Sequence, residues 1–185
     1  MSIEKIVNAV YRLQKKYDET DPFRLAKAMK VQIRLRSMGS YDGCCKGFFV
    51  VSRRIKHITI NSDLSDLLQR VVMAHELGHC VLHKDYAFSA PFHEANMFAY
   101  TDSKEYEANI FAAELLLPDE KVLQLLNIGE PFFEAAKELY VPYELLDFKI
   151  RILKKKGYQV EAPIMSQGDF LKNVEKLPTE GSVRA

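Results

Sequence analysis

Residues His75 to Cys80 read HELGHC, an H-E-x-x-H pattern near the middle of a 185-residue chain. An α-helix turns about 100° per residue, so His75 and His79 leave one helix face a turn apart with converging imidazoles. Two neutral imidazoles in that arrangement can grip one Zn²⁺. Glu76, beside the first of them, can take a proton from water activated by the metal without entering the coordination sphere. The chemistry proposed by this spacing is zinc-dependent hydrolysis of a peptide bond, with Glu76 accepting a proton and later returning it to the leaving amine.

The flanking sequence supplies the helix. In NSDLSDLLQRVVMAHELGHCVLH, Ser62 or Asp63 is a candidate N-cap, and Leu64, Leu67, Leu68, Val71 and Val72 follow at helical spacing into His75. His83 continues the i, i+4 series. Three ligands from one straight helix spread too far along its axis to close a tetrahedron, so His83 is read as a supporting residue around the metal rather than a ligand.

A catalytic zinc takes three protein ligands and keeps one position open, so a third donor must come from elsewhere. Downstream, Thr101, Asp102 and Ser103 offer a helix start, followed by KEYEANIFAAELLLP with Ala108, Phe111, Ala112 and Leu115 as an apolar stripe. Glu105 and Glu107 both lie in its first turns. Glu107 shares a helix surface with Ile110, Phe111 and Glu114, which makes it the expected ligand, with Glu105 as the alternative. Asp85, His93 and Glu94 are weaker alternatives in the intervening linker.

These blocks resemble the ImmA/IrrE family of metallopeptidases. The resemblance runs through DPFRLAKAMKVQIRL, HITINSDL, VVMAHELGHCVLH and EANIFAAELLLP in that order, spanning roughly Asp21 to Asp119. It implies a zincin-like, gluzincin-type zinc endopeptidase with zinc on His75 and His79, Glu76 as general base and Glu107, the glutamate before Ala-Asn, as third ligand. It also implies a role on prophages and mobile elements, cleaving or otherwise inactivating a partner repressor, expected to be a helix-turn-helix protein. The competing expectation is a non-proteolytic zinc-containing regulator that acts by binding protein or DNA through its C-terminal helices.

Around these residues the periodicity predicts an α+β fold. Ile3, Ile6, Val7, Val10, Leu13 and Tyr17 trace one amphipathic helix, and Asp21-Pro22 starts a second carrying Phe23, Leu25, Ala26 and Met29. The period then changes from helical to alternating. Val31 to Leu35, Gly47 to Val51 and His57 to Ile60 read as three strands of a small antiparallel sheet, with a basic turn from Ser52 to Lys56. A sheet edge beside the metal helix would let an extended peptide pair with it. The loop from Met38 to Lys46 reads either as a flexible rim to that cleft or as a simple strand connection.

Beyond Pro118 the pattern is helical to Gly157, and the segments from Pro131 to Lys156 have spacing reminiscent of a helix-turn-helix ending in a basic cluster of Lys149, Arg151, Lys154, Lys155 and Lys156. The turn lacks glycine, and cations at a helix C-terminus are favoured by the dipole in any case, so direct nucleic-acid binding is not expected. The organisation predicted is a zincin-like domain over 1–118, a helical subdomain over 119–160 and a polar tail over 161–185.

Composition agrees with a globular enzyme: 48% hydrophobic and 28% charged residues, with a formal net charge of +1, imply a packed core and no global attraction to polyanions. Three cysteines, Cys44, Cys45 and Cys80, have no disulfide-framework spacing. With an N-terminus that interrupts its apolar positions with charges, they suggest a cytoplasmic protein without a membrane segment. An oxyanion stabiliser besides zinc is required; His83, His93, Tyr86, Tyr100 and Tyr106 have suitable chemistry, and spacing does not choose among them.

Overall fold

Two polar side chains start the first two helices. Ser2 accepts the backbone N–H of Lys5 ahead of α1 (Ile3–Tyr17), and Asp21 accepts that of Arg24 ahead of α2 (Pro22–Ala28), whose first residue is the proline that tolerates this position. The computed structural model describes residues 1–41, 43–83 and 103–160. Asp85, Tyr86, His93, Glu94, Tyr100, Thr101, Asp102 and the tail from 161 lie outside the described residues.

Three strands follow, β1 (Gln32–Arg36), β2 (Gly47–Ser52) and β3 (Ile55–Asn61), in the spatial order β1-β3-β2. The sheet is mixed rather than antiparallel throughout. β2 and β3 form an antiparallel hairpin, whereas β1 runs parallel to β3. This arrangement brings the end of β1 and the start of β2 to the same end of the sheet, so the loop between them only crosses the end of β3.

That loop is held by Asn61, which is fully buried. Its side-chain N–H groups donate to the carbonyls of Gly39 and Cys45, and its Oδ1 accepts from the backbone of Met38 and Asp63. The loop, read from the sequence as either a flexible rim or a simple strand connection, is therefore pinned at both ends by one amide. Asp63, considered above as a helix cap, instead accepts from the Ser37 hydroxyl and the Gly39 N–H, which hold its carboxyl below the usual range. The cap of α3 (Asp66–Leu82) is Ser65, whose side chain accepts the Leu68 N–H.

α3 lies between the sheet on one side and α4 (Ser103–Leu116) on the other. Two glycines set its distances. A Cβ on Gly47 would fall 2.6 Å from Val72 Cγ1 of α3, and one on Gly78 would fall 3.0 Å from the Ala108 Cα and 3.1 Å from the Phe111 Cβ of α4. Around α3 the core gathers Ile58, Ile60, Met73, Leu77 and Phe111, each essentially inaccessible to solvent.

The chain closes with α5 (Asp119–Asn127), α6 (Phe132–Glu138) and α7 (Tyr143–Lys155). The basic cluster on α7 is largely engaged within the chain. Lys149, fully buried, pairs with Glu114 and Asp119, and Lys156 pairs with the same two acids. Arg151 pairs with Asp147, and Lys155 donates to the Tyr106 hydroxyl. Three of the five cations thus tie α7 to neighbouring elements and a fourth pairs within the helix, which weakens the case for a duplex-binding surface there. Among the described residues, no helix is long and apolar enough to cross a membrane.

Candidate metal centre

On α3, His75, Glu76 and His79 are all buried, at 4%, 2% and 4% exposure. Burial removes water as a partner, so each polar atom must find one in the protein or in a ligand. His75 Nε2 and His79 Nε2 lie 3.0 Å apart and point at a common space. The carboxylate of Glu105, from the first turn of α4, completes the group: Oε2 is 3.1 Å from His75 Nε2, and Oε1 is 3.3 Å from His79 Nε2. Among the described residues these three side chains form a cluster of metal-ligand type, with one donor atom from each within 4.8 Å of the others.

The remaining nitrogens of the two histidines are fixed from behind. His75 Nδ1 lies 2.8 Å from Asn109 Oδ1, which can only accept, so Nδ1 carries the proton and Nε2 presents its lone pair to the common space. His79 Nδ1 lies 3.0 Å from His83 Nδ1, and His83 Nε2 lies 3.0 Å from Glu107 Oε2. Glu107 is therefore turned towards His83, and also meets the α-amino group of Met1. The structure brings Glu105, and not Glu107, against the histidine pair.

Electrostatics follow from these contacts. Burial opposes a charged His75, but the hydrogen bond and charge of Glu105 outweigh it and hold His75 above its ordinary value. Burial likewise opposes ionisation of Glu105, yet His75 and His79 pull its carboxyl far below the usual range. Glu76 is different. Its burial dominates over the neighbouring imidazoles and pushes the carboxyl up, while the Phe49 backbone N–H donates to it. A buried carboxyl with raised proton affinity beside an ionised one is the separation of roles that acid–base chemistry uses.

Two imidazoles and one carboxylate, converging from two packed helices with oriented rear nitrogens, suit a divalent metal that accepts nitrogen and oxygen donors. Asn109 was not singled out from the sequence. The available signal was its i, i+4 relation to Glu105, which puts both on the same face of α4.

The chain is similar to known proteins over most of its length. The chain is 36% identical over 141 residues, covering 76% of it and 86% of the relative, to the uncharacterized immunity region protein 2 of Bacillus phage phi105. It is 26% identical over 147 residues to the metallopeptidase ImmA of Bacillus subtilis strain 168, covering 78% and 83% of the two chains. The model of the Peptidase_M78 family, described as the IrrE N-terminal-like domain, matches residues 26–151. By that match and by its phage relative, the chain belongs to the ImmA/IrrE family of peptidases.

Proposed function

We propose that the protein is a zinc-dependent endopeptidase in which His75, His79 and Glu105 hold the metal, Glu76 is the general base, and a partner transcriptional repressor of a prophage or mobile element is cleaved. The observation that carries this reading is the convergence of the two Nε2 atoms and the Glu105 carboxylate beside the buried Glu76. When bound, zinc would supply a Lewis acid for the scissile carbonyl and lower the pKa of water.

The chain's own residues do the rest. Asn109 and His83 hold the two imidazoles in the orientation that leaves Nε2 free for the metal. Glu76, with its raised proton affinity, is suited to accept a proton in the buried site and to return it to the departing amine.

Substrate positioning falls to β2. The Asn61 N–H donates to the Lys46 carbonyl, and by the alternation of an antiparallel ladder the even-numbered residues of β2 bond β3 while Gly47, Phe49 and Val51 face the free edge. The Phe49 N–H on that edge reaches Glu76. An extended peptide pairing along this edge would run beside the general base.

A repressor substrate is supported by the relative named for a phage immunity region and by the relative named ImmA, both of which match over most of their length. The test is co-incubation of the zinc-loaded protein with helix-turn-helix repressors from the genome that encodes it. Wild type should produce discrete fragments, and Glu76→Gln should keep its metal and produce none. Derepression by Glu76→Gln equal to wild type would replace proteolysis with regulation by binding alone.

A further inference from the structure

The sheet has a second face, away from the metal helix. Ile58, Ile60 and Phe49 belong to the core beneath α2 and α3, whereas the paired positions Arg34, Thr59 and Phe48, and the next row of Gln32, His57 and Val50, form the opposite face. This face is a concave groove of about 440 Å³, with Arg34, Arg36 and Arg53 on its walls and Phe48, Val50 and His57 among its lining.

Three features mark the groove as more than a solvated surface. First, no ion pair joins Arg34, Arg36 or Arg53 to a carboxylate among the described residues, although the chain as a whole balances 26 Lys and Arg against 25 Asp and Glu. Second, Arg53 and Arg54 form the two-residue tip of the β2–β3 hairpin with φ of 52° and 65°. Such a tip is relaxed with Asn-Gly and strained with arginine, so the cationic side chain is held at a conformational cost. Third, His57 Nδ1 is buried without a hydrogen-bond partner among the described residues.

We infer that this groove docks an extended acidic segment of the partner protein, with carboxylates alternating with apolar side chains. Arg34 and Arg36 point from the same face of β1 two residues apart, a repeat of about 7 Å that alternate side chains of an extended peptide share. Carboxylates at that repeat would meet the arginine wall. The intervening side chains would turn to the apolar wall of Phe48 and Val50. A single-stranded nucleic acid fits less well, because the lining offers one phenyl ring, one half-buried imidazole and aliphatic surface rather than a series of stacking platforms.

The groove and the metal centre are joined through one strand: Phe48 and Val50 line the groove, while Phe49 between them turns its side chain into the core and its edge N–H to Glu76. The inference rests on the reading that the protein acts on a protein partner, but the docking does not require hydrolysis.

The test is fluorescence anisotropy on the full chain with a labelled ten-residue peptide alternating glutamate and leucine, its lysine counterpart, and a ten-nucleotide oligo-dT. The glutamate peptide should bind in preference to the other two and weaken with salt. Arg34→Gln/Arg36→Gln should weaken it by about ten-fold, as expected for the loss of two solvent-exposed ion pairs. Arg53→Gln should weaken it less, and both variants should keep the wild-type circular dichroism and melting midpoint because all three arginines are exposed. Glu76→Gln should bind the peptide as wild type does, so loss of peptidase activity and loss of docking are read separately. Binding unchanged in the arginine variants, equal binding of the lysine peptide, or preferential arginine-dependent binding of oligo-dT would each overturn the inference.

Discussion

His75 and Asn109 meet through a 2.8 Å contact between Nδ1 and Oδ1, joining the metal helix α3 to α4 four residues beyond Glu105. One face of α4 thus supplies both a carboxylate donor and the group that fixes the tautomer of its neighbour. Asn109→Ala should lower zinc affinity by roughly 10–100-fold, as is usual for loss of a group that orients a ligand. Asn109→Asp should retain most of it, since a carboxylate also accepts from Nδ1. Competition with a chromogenic chelator measures both, and equal affinity for the alanine variant and wild type would contradict this role.

Gly78 lies inside the H-E-x-x-H motif but acts on packing. Its missing side chain allows the backbone of Ala108 to approach within contact distance. Gly78→Ala should push α4 away from α3, costing about 1–3 kcal/mol by overpacking and withdrawing Glu105 from the histidines. Thermal denaturation and zinc binding should therefore fall together; a stable variant with full zinc affinity would show that the two helices can slide without loss.

The metal-free site has a proton linkage of definite sign. His75 is held above its ordinary 6.5 in the fold, so its pair with Glu105 contributes stability that is present below pH 6.5 and is lost as pH rises through the raised value. The stability difference between chelated wild type and Glu105→Gln should shrink as pH increases. Zinc must displace that proton, so binding should release about one proton and weaken as pH falls. Calorimetry in buffers of different ionisation enthalpy measures the release.

Lys149 is buried among acids far from the motif. Lys149→Ala should leave Glu114 and Asp119 sharing Lys156 alone, destabilising by roughly 3–5 kcal/mol and lowering the melting midpoint by about 10 °C. Asp119 is held below its ordinary 3.8, burial being outweighed by the two lysines, so its contribution is present above that pH and fades as pH falls. Lys156 is held above 10.5 by Asp119 and Glu114 against the effect of burial, so its contribution is present below 10.5 and fades as pH rises. Asp119→Asn should therefore lose stability relative to wild type at neutral pH and converge with it in acid.

The metal helix was readable because its local signals agree: an apolar stripe leads into histidines spaced by one turn, and Asp21-Pro22 likewise announces α2. The choice between Glu105 and Glu107 was not readable in the same way. Every residue from Glu107 to Leu116 is buried and only the first turn, with Ser103 and Tyr106, is exposed, so the stripe of Ala108, Phe111, Ala112 and Leu115 does not by itself fix which glutamate faces α3. The direction of β1 was also hidden. Alternation identifies a strand, but its partner and sense depend on the crossing of the loop that Asn61 pins through non-local hydrogen bonds. The partners of the basic cluster on α7 were hidden for a related reason, since Lys149 and Lys156 are answered by Glu114 and Asp119 from other helices.

Glu105, and not Glu107, is the carboxylate we assign to the metal. Zinc content by mass spectrometry on wild type, Glu105→Ala and Glu107→Ala, each loaded and desalted in parallel, tests it directly. The geometry predicts near one zinc per wild-type chain, loss in Glu105→Ala and retention in Glu107→Ala, where the support behind His83 and the contact with the Met1 amino group are removed. Retention in Glu105→Ala with loss in Glu107→Ala would contradict the ligand set, and no zinc in the wild type would contradict the metallopeptidase mechanism itself.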